Sequence, residues 1–342
     1  MYKNVDLSNI LYQFNIVNYN YQKIKEKNTK KPRTVYKINT YDNFFCLKKS
    51  YLNINNLLFI YSYLEWLNLN NFKVPYFIKN LYGEPYVNYN KDIYLLCNWM
   101  EGENIDYNNL NHCILSVIYL SKIHNISNNI LFIKNSEIKN NFENINKKFK
   151  KHEKELFKFY KVAQCCDDHF SKNLINNFEK IIYLSNIAIK YSSYINYGNL
   201  NKSLCHGDYV SKNILLNDNQ IVPIDFDKSS INYSISDFSY FLRRYLRRDL
   251  TNWNFDNTLK LINYYKKYNN ISLDEYYYLL SYLSFPQKIW KFSKLYYTNY
   301  NNLSDTEKIY FTKSLFKTIQ MIDNHIFFTI DFRNYINIYF KK

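Results

Sequence analysis

The residues best equipped for chemistry lie between Leu204 and Asp227, in the stretch LCHGDYVSKNILLNDNQIVPIDFD. Ile214-Leu215-Leu216 reads as an apolar strand, Asn217-Asp218-Asn219-Gln220 as a turn, and Ile221-Val222-Pro223-Ile224 as the return strand. A hairpin brings its ends together. Asn213, just before the first strand, must therefore lie near Asp225, just after the second. Asp208, five residues before Asn213, is the third polar group on that rim. Two carboxylates and an amide oxygen converging at one place suit a hard cation such as Mg²⁺, which prefers oxygen ligands. One carboxylate is then left to orient a hydroxyl. An ordinary hairpin with polar ends is the plain alternative.

An Asp, an Asn at a fixed interval and a second Asp after a hairpin is also the order of a phosphoryl-transfer site. Here His206-Gly207-Asp208, Asn213 and Asp225-Phe226-Asp227 fill those places. The set resembles the aminoglycoside and choline phosphotransferase branch of the protein-kinase-like fold, which has HGD where protein kinases have HRD. The resemblance implies that Asp208 orients the acceptor hydroxyl and that Asn213 and Asp225 hold the metal, with Asp227 a further candidate beside them. It implies a positioning role for His206. It gives Lys212 a choice between neutralising the transferred phosphate and facing solvent.

The elements expected to position these groups begin at Leu7 to Phe14, which has helical spacing behind Asp6. Residues 15 to 25 alternate loosely, as a strand would. Val35 to Asn39 and Phe44 to Lys48 flank a polar turn at Asp42-Asn43, giving a second hairpin. In the fold resembled, this hairpin carries the phosphate-binding loop and the nucleotide lysine, which makes Lys48 the candidate for the nucleotide phosphates. The loop across residues 29 to 35 has no glycine, and Lys30, Lys31 and Arg33 stand where backbone N–H groups would otherwise approach the phosphates. Residues 50 to 70 read as a helix whose one carboxylate, Glu65, either partners Lys48 or faces solvent. Tyr86 to Tyr89 and Ile93 to Cys97 read as strands about Asn90-Lys91-Asp92. Trp99 and Met100, in the segment Asn98 to Gly102, either line an adenine pocket at a hinge or pack in the core.

The pattern then turns helical, with a strongly apolar segment from Cys113 to His124 and Lys- and Asn-rich helices across residues 135 to 190. After the central stretch, Ser234 or Ser236 is expected to cap a helix. Asp237 matches the helix-start Asp that braces the catalytic loop in the fold resembled. Arg243, Arg244, Arg247 and Arg248 fall on two adjacent faces of that helix, fit either for an acidic ligand or for solvent.

The chain of 342 residues, 47% hydrophobic, can bury a core large enough for two lobes. With 38 Tyr, 25 Phe and only 4 Gly, its composition reads as codon bias from an AT-rich genome. The formal charge of +16 raises the question of an anionic partner. The lysines are scattered rather than gathered in a tract, which fits codon bias better than a nucleic-acid binder. The six cysteines form no C-x-x-C pair, as expected in a reducing compartment. No signal peptide or membrane span is apparent, so a cytoplasmic location without membrane contact is expected.

Late in the chain, Phe285-Pro286-Gln287, Trp290 and Tyr296-Tyr297 follow the segment LDEYYYLLSYL. Together with the VYKI hairpin, the HGD and IDFD motifs and the DFS…LRR element, this string resembles the CotS-type spore coat proteins of endospore-forming bacteria. The expectation is a two-lobed α+β kinase-like fold. A small antiparallel-sheet lobe would span residues 1–98 and a mainly helical lobe residues 99–342, with a hinge at 98–102. The resemblance implies ATP or another nucleoside triphosphate with Mg²⁺ as cofactors. The acceptor would be the hydroxyl of a small molecule or coat component, and spore coat proteins are the partners it suggests. A non-catalytic coat protein that keeps the fold is the alternative.

Overall fold

A computed structural model describes residues 7–27, 32–127 and 130–340. Lys30 and Lys31 therefore lie outside the described residues. The chain divides into two compact units. The first comprises Met1–Ile105, Ile123–Asn141 and Leu204–Ile231, and the second Asp106–Lys122, Phe142–Ser203 and Asn232–Lys342.

The first unit is built on a sheet. It opens with helix α1 (Leu7–Gln13), followed by strands β1 (Asn20–Lys27), β2 (Arg33–Asn39) and β3 (Phe44–Ser50). Helix α2 (Ile54–Leu69) precedes β4 (Val87–Tyr89) and β5 (Asp92–Asn98). The five strands pair antiparallel in the order β1-β2-β3-β5-β4. Alternation decides which face is buried: along β2 every second residue points inward, among them Tyr36 and Ile38. These pack with Leu47, Tyr94 and Leu96, and Leu7, Ile10, Leu11 and Phe14 of α1 and the turn after it close that face. Asn53 starts α2, its side chain accepting the Asn56 N–H at 2.8 Å.

Strand β6 (Glu103–Asn104) follows the segment after β5. Helix α3 (Leu110–Ile126), whose residues divide between the two units, leads into α4 (Ile145–Ala163), α5 (His169–Asn176) and α6 (Phe178–Ser192). Strand β7 (Lys202–Cys205) brings the chain to the hairpin of β8 (Ile214–Asn217) and β9 (Gln220–Pro223). The hairpin turn places Asp218 and Asn219 at φ +48° and +61°. Two successive left-handed residues make the tight turn whose twist matches the strands. Strand β6 lies on the open edge of β8, pairing Glu103 with Leu216.

After β10 (Ser230–Tyr233), the second unit is helical: α7 (Ser234–Leu246), α8 (Phe255–Lys266), α9 (Leu273–Ser284), α10 (Gln287–Thr298), α11 (Asp305–Ile319) and α12 (Ile322–Phe340). Reciprocal capping boxes, Ser272 with Glu275 and Ser304 with Glu307, start α9 and α11. Neither Ser234 nor Ser236 caps α7, contrary to expectation. Tyr233 holds the N-cap position without a side-chain bond, and Ser234 is already inside the first turn. Asn232 supplies the local bond instead, its Oδ1 accepting the Tyr233 N–H. Aromatic stacking holds α10 and the residues just before it to their neighbours, together with polar contacts from Trp290 Nε1 and Lys294 Nζ to Glu155. Phe285 stacks on Phe149 of α4 at 4.4 Å, Trp290 on His152 at 3.5 Å, and Tyr296 on Phe170 of α5 at 4.0 Å. No helix among the described residues is long and apolar enough to cross a membrane.

Candidate active site

Asp237 and the arginine run from Arg243 to Arg248 fall in the second unit; the other sequence-derived candidates fall in the first, and most of them gather at the open end of the β8–β9 hairpin. The Ile224 N–H donates to the Asn213 carbonyl at 2.9 Å, closing the hairpin mouth and setting Asn213 one residue from Asp225. The Asn213 Nδ2 donates to the Asp208 carbonyl at 2.9 Å. That bond fixes the amide and leaves Oδ1 as its ligand atom. Asp208, Asn213 and Asp225 therefore share one rim.

His206 explains why the loop holds its shape. Its Nδ1 accepts the Asp208 N–H at 3.2 Å, and its Nε2 lies 3.1 Å from the Ile224 carbonyl. Those two partners require the tautomer protonated on Nε2, so the ring bridges both arms of the site. The Phe226 ring packs against His206 at 4.6 Å and against Tyr63 of α2 at 5.6 Å. Gly207 between them has φ +75°, and a Cβ there would collide with the Lys228 carbonyl oxygen. Only glycine meets both demands.

Asp225 is itself left-handed, at φ +66° and ψ +58°. A non-glycine residue in that region is held there by its surroundings. The twist turns its carboxylate toward β3, where the Lys48 Nζ donates to Asp225 Oδ1 at 3.0 Å and to Asp227 Oδ1 at 2.5 Å. Arg33 of β2 adds a second cation, its Nη1 lying 3.7 Å from both Asp225 Oδ2 and Asp227 Oδ2. Lys48 is positioned by strand register, opposite Val35 on one side and Leu95 on the other.

The electrostatics follow from this pairing. Burial opposes the Lys48 charge, but the Asp227 and Asp225 carboxylates outweigh it and hold its pKa above the ordinary lysine value. Burial likewise opposes ionisation of Asp225, and Lys48 outweighs it, bringing the carboxyl down to about 2. Burial opposes ionisation of Asp208 too, and the hydrogen bond from Lys228 leads the effects that bring its pKa below the usual range. Lys228 Nζ sits 3.0 Å from Asp208 Oδ2 and Lys212 Nζ 3.7 Å from the same oxygen.

Lys228 is a residue that sequence reasoning missed. Its approach depends on the 3₁₀ turn Phe226–Lys228 that follows the left-handed Asp225, and strand periodicity carries no signal for it. Asp227, a secondary candidate beside the motif, makes the shortest contact with Lys48. Its Oδ2 is buried without a hydrogen-bond partner among the described residues. Glu65 is not brought to Lys48. It makes no ion pair among the described residues, and its place beside the lysine is taken by Asp225 and Asp227. Trp99 and Met100 are half-buried just beyond β5. The Trp99 N–H donates to the Phe44 carbonyl at 2.9 Å, and Lys37 Nζ lies 4.8 Å from the Trp99 ring centroid. The Met100 Sδ accepts from Asn98 Nδ2 at 3.1 Å. Gly102, at φ +133°, lets this segment run against β8, where a Cβ would come within 2.7 Å of the Leu216 carbonyl oxygen. Asp237 belongs to the second unit, buried in the first turn of α7.

The donor set fits a divalent cation. An ionised Asp225, the Asn213 Oδ1 and the Asp227 Oδ2, which has no hydrogen-bond partner among the described residues, are all hard oxygen ligands.

The model of the phosphotransferase enzyme family matches residues 60–257. Among solved structures, an aminoglycoside phosphotransferase from Alicyclobacillus acidocaldarius superposes with a TM-score of 0.82 at 16% identity, over 98% of each chain. A spectinomycin phosphotransferase in complex with ADP and spectinomycin gives 0.64 at 16%, covering 91% of this chain and 94% of that one. An amicoumacin kinase in complex with AMP-PNP and Ca²⁺ gives 0.60 at 11%, covering 89% and 88%. No curated protein matches. At these identities the likeness establishes the kinase-like fold: a small antiparallel-sheet region followed by a mainly helical one.

Proposed function

Since the chain belongs to the phosphotransferase enzyme family, we infer that it transfers the γ-phosphoryl group of ATP, or of another nucleoside triphosphate, to the hydroxyl of a small molecule. The observation that carries this reading is the Lys48–Asp225–Asp227 cluster closing the hairpin rim on which Asp208 and Asn213 stand.

Lys228 holds Asp208 Oδ2, leaving Oδ1 to accept the hydrogen bond of an acceptor hydroxyl. An Asp208 held ionised can take the proton as the hydroxyl oxygen bonds to the γ-phosphorus and the bond to the departing nucleoside diphosphate breaks. Lys48 and Arg33 offer positive charge to the nucleotide phosphates once these displace the carboxylates from them. Asn213 and Asp225, with Asp227 beside them, would hold Mg²⁺, which supplies charge neutralisation to the phosphates. Trp99 and Met100 would line the base pocket. Lys212 would lie close to the transferred group. The spectinomycin, amicoumacin and aminopropanol kinases among the structural neighbours support a small-molecule acceptor. The finer identity, a CotS-like protein associated with the spore coat, is supported by the string from Phe285 to Tyr297, and coat components are its partners and candidate acceptors.

A second reading, a kinase-like coat protein with little or no turnover, is favoured by one observation: Lys48 has no helix carboxylate partner, since Glu65 is not beside it. Thermal melting with ATP, with and without Mg²⁺, separates the two. Catalysis requires stabilisation by ATP that depends on Mg²⁺ and is lost in Lys48→Ala. No stabilisation by any nucleoside triphosphate would favour the structural reading.

A further inference from the structure

The second unit contains a cavity that the phosphoryl-transfer reading does not use. It is about 30 Å³ in volume and lies between the C-terminal end of α7, the start of α10 and the α11–α12 corner. Arg243, Arg247, Lys288 and Lys317 all line it. Lys317 has a counter-ion, Asp249, at 2.7 Å. The other three have no carboxylate at ion-pair distance among the described residues. Arg243 instead donates to the Tyr282 hydroxyl at 2.7 Å and lies 4.0 Å from that ring centroid. Arg247 donates its Nε to the Arg243 carbonyl at 3.0 Å, and the terminal nitrogens of its guanidinium have no acceptor among the described residues.

Gathering cations around one half-buried space without enough counter-charge is unfavourable unless an anion completes it. The strain is visible in the groups themselves. Burial, reinforced by the neighbouring Arg243, lowers Arg247 to about 9. Burial and Arg247 bring Lys288 down to about 8. His325, also on the wall, carries no charge to relieve them or add to them: burial brings it down to about 3, while its Nε2 bonds the Leu283 carbonyl at 2.8 Å. The first turn of α10 lines the same space, and Pro286 at its N-cap provides no capping side chain. Its N–H groups and helix dipole add to the positive field.

We propose that this cavity is an oxyanion site that takes a phosphate group, either free phosphate or the head of a phosphorylated small molecule. Two guanidinium groups offer forked donors that match phosphate oxygens. The number of unpaired cations suits a dianion better than a single carboxylate.

Titration calorimetry at fixed ionic strength, using inorganic phosphate and glycerol 3-phosphate as separate probes, tests this. The wild-type chain is expected to bind at least one of them with one-to-one stoichiometry at this site. Arg247→Gln and Lys288→Gln are each expected to weaken that binding at least tenfold, and Lys48→Ala to leave it in place. Tighter binding of glycerol 3-phosphate would identify the phosphorylated small molecule as the ligand, and equal binding free phosphate. If Arg247→Gln does not fold, Lys288→Gln carries the test, because its side chain is only half-buried at the cavity wall. Absence of binding to wild type, or binding that survives both substitutions and vanishes in Lys48→Ala, would overturn the proposal.

Discussion

Replacing Lys48 with Met probes the cluster at its centre. Met keeps most of the side-chain volume and removes the charge. Two carboxylates then face each other with only Arg33, at 3.7 Å, to offset them. The side chains of Asp225 and Asp227 are 24% and 9% exposed, so water relieves the first more than the second. Breaking a buried pair by removing one partner costs about 3–5 kcal/mol. The residual Arg33 contact and the partial exposure of Asp225 put this case near the lower figure, about 3 kcal/mol. With a melting entropy of about 2.1 cal/mol/K per residue, 342 residues give about 0.7 kcal/mol/K, so Tm should fall by about 4 °C. Adding Asp227→Asn removes the stranded charge and should recover about 2 kcal/mol of the loss, a coupling that independent sites do not show. Mg²⁺ should stabilise Lys48→Met more than wild type, because it no longer competes with an ammonium for the carboxylates. Scanning calorimetry of wild type, Lys48→Met, Asp227→Asn and the double variant, with and without Mg²⁺, reads all three quantities. A Lys48→Met chain that melts with wild type, or losses that simply add, would refute the pairing.

Other perturbations test separate parts of the site and the fold. Gly207→Ala forces a side chain into a left-handed position and against the Lys228 carbonyl, so it should cost about 2–4 kcal/mol in urea unfolding; an unchanged midpoint would count against that loop geometry. Asp208→Asn keeps the shape but removes the base and should lower kcat about 10²–10⁴-fold with little change in nucleotide affinity; equal losses in both would point to a positioning defect. Burial lowers His152 to about 4 and His325 to about 3. A folded-state pKa below the unfolded value near 6.5 gives stability that is present above pH 6.5 and lost as pH falls through the folded values. Stability should therefore drop by several kcal/mol between about pH 6.5 and 4, and His152→Gln with His325→Gln should flatten that slope in acid melts.

The hairpin was legible because its physics is local. A two-residue turn admits one register, and that register forces Asn213 and Asp225 together. Lys48 was legible only through its strand and the motif downstream, since a lysine at a strand end has no signature of its own. What escaped depended on single backbone angles or on distant packing. Lys228 reaches Asp208 because Asp225 is left-handed, and nothing in the residue types announces that. Glu65 was the sole carboxylate of its helix, yet the helix carboxylate role was filled by Asp227 from the far side of the hairpin. The expected serine caps of α7 lost to Asn232, which bonds the backbone one residue before the helix. The string from Phe285 to Tyr297 was read as a mark of kinship; in the structure it is a stacking seam, with Trp290 on His152 and its indole N–H donating to Glu155. The split of the arginine run into half-buried Arg243 and Arg247 and exposed Arg244 and Arg248 follows helix periodicity, but the cavity they face requires helices from 40 to 80 residues away.

Incubating the protein with Mg²⁺, ATP and a panel of hydroxyl-bearing small molecules, and measuring ADP release, tests the phosphoryl-transfer reading most directly. The expected result is acceptor-dependent ADP release by wild type that is nearly abolished in Asp225→Ala, while both chains retain the same fold by circular dichroism. Release that is equal in Asp225→Ala and wild type would contradict the role assigned to the hairpin rim.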